Sequence, residues 1–336
     1  MTTPGAAYLR TDRAPARAHR IAGSERPPGI VRGPMPGLGQ RRVVLVSGKG
    51  GVGKTTISVA LALAAAKQGK RVLLCETQGA SRVPGLFGKP SKGYEPTQIA
   101  TNVHALSITP AAAIEEYVLL QLHFQRLYKM VFRNRVMGPF VDAVPGLHDL
   151  VQLGKVWFAE RDTHLGRPRW DLIVVDAPAT GHGLTMFGAP RAMMDLTVAG
   201  PFYENAKQIA DLIEDTQRTA LLLVAIPEEM PVRETIELYS RLGPMQGLVG
   251  GVVLNEVRPA PVSAAVLDTA RPSFTDPAYA SVLAAIASEQ RAVSRQDDAR
   301  RRLAELAIPA ELPFLYRRDL RRADFDGFAD RLGALL

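Results

Sequence analysis

Between Val43 and Lys67 the chain runs from an apolar strand through a glycine-rich loop straight into a helix, an order that few folds accept. Val43-Val44-Leu45-Val46 reads as a buried strand, and Ile57 to Lys67, rich in Ala, Leu and Val, reads as a helix. Their link is Gly48-Lys49-Gly50-Gly51-Val52-Gly53-Lys54-Thr55-Thr56, a phosphate-loop pattern in the context such a loop needs. The glycines let the backbone curl until several N–H groups converge on phosphate oxygens. The helix N-terminus adds partial positive charge, Lys54 suits the outer phosphates, and the Thr55 hydroxyl suits magnesium. The implied ligand is a nucleoside triphosphate with Mg2+.

Lys49 places a second cation in the same tight turn, where two lysines repel unless a polyanion lies between them. Either it serves the phosphates, or it is a surface lysine that raises the local potential. A second anchor is Asp176, at the end of the apolar run Asp171-Leu-Ile-Val-Val-Asp176. A carboxylate at the tip of a buried strand beside the loop strand can hold magnesium. The same position also suits an N-cap for the next helix.

The rest of the chain alternates strands and helices, which predicts a mostly parallel, doubly wound α/β sheet. Arg71 to Cys75, Val103 to Ile108, Thr219 to Ile226 and Leu248 to Leu254 read as further strands. Pro231 to Leu242 reads as a helix stopped by Gly243, and a long helix is expected from Asp276-Pro277 to Arg300-Arg301-Arg302. The 336 residues are 46% apolar, enough for a sizeable core.

The net charge of +8 is uneven. Residues 1–40 carry Arg10, Arg13, Arg17, Arg20, Arg26 and Arg32 against Asp12 and Glu25, with little large apolar content, and read as a disordered basic arm. Three readings of the arm stay open: an anchor for nucleic acid or anionic lipid, a transit peptide, or an upstream start without function. Residues 41–336 allow one large α/β domain or two small ones. No run reaches the roughly 18 apolar residues of a membrane span, and no secretory h-region is visible, so a cytoplasmic protein is expected, peripheral to the membrane at most. With Cys75 as its one cysteine, the chain offers no internal disulfide and no Cys-x-x-Cys metal site.

The Gly-Lys-Gly-Gly-Val-Gly-Lys-Thr-Thr loop resembles the deviant Walker motif of the ArsA/Get/MinD/ParA dimeric nucleotidases, a P-loop NTPase group of the SIMIBI type. The resemblance implies that Lys49 reaches the nucleotide of a partner subunit. Asp176-Ala-Pro-Ala-Thr180-Gly181-His182-Gly-Leu184 resembles the switch II of ArsA and Get-type ATPases and separates the chain from MinD and ParA proteins. Val144-Pro145-Gly146-Leu-His-Asp149 resembles a family helix-head motif. Leu248-Val-Gly-Gly-Val-Val-Leu-Asn255 resembles the strand whose Asn meets the adenine edge, and Glu311-Leu-Pro313-Phe314-Leu resembles the segment over the base. The likeness runs from about residue 42 to the C-terminus, and the chain is identified as a member of the ArsA/Get-like family, in a prokaryotic branch without cysteine metal sites. Zinc, iron–sulfur and arsenite sites of the kinds built from several cysteines are therefore not expected.

One departure bears on mechanism. Alignment with the family's switch I puts Gln78 where an aspartate activates the attacking water. An amide can position water but cannot take its proton, so slow hydrolysis is expected. Glu76 either supplies the missing carboxylate or serves as a cap or solvated charge.

The resemblance also implies one ATPase domain over 41–336, a dimer, with itself or with a paralogue, and a helical subdomain inserted at about 110–165. Its apolar residues, with Met186, Phe187, Met193 and Met194, either form core and dimer contacts or line a groove for a hydrophobic protein segment. Three roles follow: a switch that handles such a segment, a degenerate regulatory subunit beside a competent paralogue, or MinD/ParA-like positioning. The tail Phe325 to Leu336 is amphipathic but mixed in charge, which suits a membrane anchor poorly.

Overall fold

The computed structural model of the protein describes residues 37–78, 81–122, 146–197, 199–259, 266, 268, 269, 276, 279–317 and 319–336. Eight strands form the main sheet: β1 (Val43–Gly48), β2 (Val72–Glu76), β3 (Thr97–Ala100), β4 (Val103–Ser107), β7 (Leu172–Ala179), β8 (Thr219–Ala225), β9 (Val249–Val257) and β10 (Ala310–Pro313). Their order is β10-β9-β8-β1-β7-β2-β4-β3. All neighbours pair in parallel except β3, which runs antiparallel to β4. A two-stranded hairpin, β5 (Thr163–His164) with β6 (Arg167–Pro168), stands apart. The expected doubly wound sheet is present; the antiparallel edge is an addition that the weak, half-exposed pattern of Thr97–Ala100 did not announce.

Nine helices flank the strands among the described residues: α1 (Lys54–Lys67), the one-turn α2 (Val83–Leu86), α3 (Pro110–Leu122), α4 (Leu147–Arg161), α5 (Thr180–Leu196), α6 (Pro201–Glu214), α7 (Glu229–Arg241), α8 (Ala280–Leu303) and α9 (Arg322–Leu332). Strand side chains alternate between faces, so one strand feeds two cores. Val43, Leu45, Leu73, Cys75, Ile173 and Val175 pack toward α4 to α8. Val44, Val46, Leu74, Val174, Leu222 and Val224 pack toward α1 and α9. Strands buried on both faces read as continuous apolar runs, which is why they were visible in the sequence. α1 is buried almost all round, between the sheet and α9, and its alanines allow that close approach.

Several expectations shift. The long helix begins at Ala280, not at Asp276; the Asp276 carbonyl instead accepts the Tyr279 N–H, and Pro277 lies outside the described residues. Asp176 is neither the last residue of its strand nor the N-cap of the next helix: β7 continues to Ala179, which caps α5 from Thr180. Residues 37–40, within the stretch expected to be arm, are among those described, and Leu38 is buried in the α1–α9 core. The tail packs as well: Phe325, Phe328, Ala329 and Leu332 turn the apolar face of α9 inward. Residues 1–36, and residues 123–145 of the expected helical insertion, lie outside the described residues.

Candidate functional site

β1 lies between β7 and β8, so the loop after β1 opens at the C-terminal edge of the sheet, flanked by two parallel strand ends. Gly53 caps α1 in a left-handed conformation, φ +91°, and a Cβ on it would come within 2.4 Å of the Asn255 Nδ2. Both the backbone angle and the close approach require glycine there. Gly51 is also left-handed, at φ +87°. Val52 is buried and anchors the loop, its carbonyl accepting the Asn255 amide at 2.9 Å. Thr55 and Thr56 lie in the first turn of α1, whose N-terminal N–H groups face the loop's mouth.

The register pairs Asp176 with both Val46 and Glu76, so the carboxylate stands one strand from the phosphate loop. The Thr55 hydroxyl donates to Asp176 Oδ2 at 2.6 Å. Asp176 Oδ1 is buried without a well-formed hydrogen bond, and the Ser58 hydroxyl, likewise unpaired, lies close enough to hold the carboxyl's pKa down. A buried orphan carboxylate oxygen is uncommon. Burial pushes the Asp176 carboxyl up to about 6, against the Thr55 hydrogen bond and the Lys54 charge, with Glu76 adding to the rise. A hydroxyl and a carboxylate oxygen in contact are hard donors of the kind magnesium takes, with phosphate and water completing its shell. These residues therefore fit the ion, and the orphan Oδ1 is the observation that says so.

Lys54 is buried, and its Nζ donates to the Lys49 carbonyl at 3.2 Å, which closes the loop on itself. Desolvation lowers its pKa, partly offset by Asp176. The side chain of Lys49, by contrast, leaves the loop and pairs with Glu234 on α7 at 2.7 Å. Sequence reading missed Glu234, which looks like any exposed charge on an amphipathic helix.

Glu76 resolves to one of its two readings. Its carboxylate accepts the N–H groups of Arg82 at 2.8 Å and Val83 at 3.1 Å, ahead of α2, and is buried. It caps the start of α2. Gln78 is exposed, and its amide donates to the Ala177 carbonyl at 3.2 Å, next to Asp176. His182 falls in the first turn of α5, but its side chain lies outside the described residues, as do Gly79 and Ala80 beside Gln78.

Asn255, Pro313 and Phe314 gather at the ends of β9 and β10. The Phe314 N–H donates to the Val257 carbonyl at 2.9 Å. Arg258, which the sequence did not single out, lays its guanidinium 3.9 Å from the Phe314 ring centroid and pairs with Glu289 at 2.7 Å. Its signal was weak: one arginine three residues after Asn255.

A family model described as "Anion-transporting ATPase" matches residues 41–200. The chain is 35% identical over 227 residues to "ATPase BagA" of Mycobacterium tuberculosis (strain ATCC 25618 / H37Rv), covering 65% of this chain and 66% of that protein. It is 26% identical over 252 residues to "ATPase ASNA1 homolog 1" of Paramecium tetraurelia, covering 64% and 74%. Against the "Arsenical pump-driving ATPase" of Escherichia coli it is 28% identical over 244 residues, covering 64% of this chain and 39% of that protein. The match thus spans just under two thirds of the mycobacterial relative. The geometry of the loop and Asp176 agrees with these likenesses, which are consistent with the ArsA/Get-like family of P-loop ATPases.

Proposed function

We propose that the protein binds ATP with magnesium at the β1–α1 loop, hydrolyses it slowly, and acts as a dimeric nucleotide switch for an apolar protein segment. The observation that carries the reading is the Thr55–Asp176 contact with its orphan Oδ1, set beside two left-handed glycines. Loop N–H groups and Lys54 would hold the phosphates, and Thr55 and Asp176 the ion. Magnesium, when bound, neutralises charge on the phosphoryl oxygens.

Slow turnover follows from Gln78. Its amide can orient a water by hydrogen bonds, and Glu76, committed to capping, leaves no second carboxylate in the switch to take the proton. Lys49 acts across a dimer seam, where a cation on the developing charge is worth several orders of magnitude in rate. An apolar cavity of about 100 Å³ between α3, α4 and α6, lined by Tyr117, Leu150, Val151, Trp157, Phe158 and Phe202, supports the client reading. It is of the order that holds a benzene-sized group, so it would grip one anchoring side chain and not a whole helix.

The Gln78 substitution favours a second reading, a subunit that binds ATP and serves a competent paralogue. The burial of the apolar face of α9 counts against MinD-like anchoring through the tail. Among the described residues no helix is long and apolar enough to cross a membrane. The test is steady-state ATPase activity beside sizing with and without ATP. Slow turnover in an ATP-dependent homodimer, raised in Gln78→Asp, supports the switch. Tight ATP binding without turnover or self-association supports the subunit awaiting a paralogue.

A further inference from the structure

Gln152 lies in the middle of α4, on its buried face, and is a polar side chain sealed inside an apolar core. Its amide nitrogen donates twice: to the Thr77 carbonyl at 2.9 Å and to the Ile108 carbonyl at 2.6 Å. Those carbonyls sit just past the C-terminal ends of β2 and β4, on the edge of the sheet where the nucleotide loop opens. One amide group has two N–H bonds, and both are spent on these two strand tips. Thr77 is itself tied to the site. Its hydroxyl donates to the Asp176 carbonyl at 2.7 Å, and the next residue is Gln78.

We propose that Gln152 is a positioning residue for ATP hydrolysis. It fixes the Thr77 carbonyl, and through the Thr77 peptide it sets where the Gln78 amide stands relative to Asp176. The inference rests on the proposed hydrolysis at Gln78. A buried amide is costly unless fully bonded, and leucine would fill α4's inner face as well. What leucine or methionine cannot do is hold two carbonyls that would otherwise be free to tilt. A switch residue that works only by placing a water is sensitive to such a tilt, because misplacement by about 1 Å costs up to roughly a hundred-fold in rate. The same helix also borders the apolar cavity, through Leu150, Val151, Gly154 and Lys155, and Leu150 and Gly154 lie on the side of α4 away from Gln152. A shift of α4 would therefore be felt at the strand tips.

The test uses the full chain with Gln152→Met, close in shape but without donors, and Thr77→Val. ATP affinity is read with a fluorescent ATP analogue, turnover at steady state, and amide hydrogen exchange on peptides covering Thr77 and Ile108. The expected result for Gln152→Met is kcat lower by roughly ten-fold or more, ATP affinity within about two-fold, and faster exchange confined to those peptides. The double variant should be no slower than the worse single one, because both act along one path. Unchanged kcat, or a loss that follows ATP affinity or global exchange, overturns the proposal. If the parent protein itself shows no turnover, the hydrolysis reading fails separately. In that case, unchanged exchange at Thr77 and Ile108 in Gln152→Met overturns the positioning role, and faster exchange there supports it.

Discussion

The Nζ of Lys49 stands 2.7 Å from Oε1 of Glu234, so the lysine assigned to a partner's nucleotide is held within its own chain. Both side chains are about 29% exposed, which makes the pair easy to exchange for a stronger anion. Lys49→Ala should lower turnover by at least about a hundred-fold while leaving ATP affinity near the parent value. Glu234→Gln should free the lysine and lower the ATP concentration needed for self-association. Turnover and light-scattering mass against ATP concentration check both. A Lys49→Ala protein with full activity would sink the trans role.

Asp176 gives a pH signature. Its carboxyl is pushed up to about 6, above the ordinary 3.8, so the folded state holds the proton more tightly than the unfolded chain does. Stability from this group is therefore present at low pH and is lost as pH rises from the unfolded value through about 6. The loss is roughly 3 kcal/mol at full ionisation. Urea titrations without nucleotide at about pH 4.5 and 7.5 should show Asp176→Asn gaining on the parent as pH rises. The same variant should lose magnesium-dependent ATP binding.

Cys75 has no accessible surface, and burial pushes its thiol up to about 12. A thiolate is the reactive form, so a thiol reagent should leave the native protein unlabelled and react stoichiometrically in denaturant. Rapid labelling of the native chain would mean that β2 opens far more readily than its place between β7 and β4 implies.

The tail belongs to the core. Phe325 is 1% exposed and stacks near Phe87, with ring centroids 5.9 Å apart. Phe325→Ala should cost about 3–5 kcal/mol in a denaturant titration, and it should not create membrane affinity. A stable variant with unchanged midpoint would show that α9 is dispensable.

The sequence by itself determined what local rules control. A strand buried on both faces must be apolar throughout, and a phosphate loop must be rich in glycine, so β1, β2, β7, β8, the loop and α1 were all legible. It also displayed Asp176 as the carboxylate that closes an apolar run, although β7 continues past it to Ala179. Tertiary structure alone decided what those residues touch. Only the parallel register puts Asp176 against Thr55, and only the crossing of β9 beside β8 brings the Asn255 amide onto the Val52 carbonyl. The sequence offered a cap as one role for Glu76 without choosing it, and Glu234 as the partner of Lys49 and Gln152 as the clamp on two strand tips were invisible for the same reason. Each joins a residue whose own neighbourhood looks ordinary to a group that is distant in the chain or hidden in a turn, and periodicity carries no record of which polar group a buried side chain will meet.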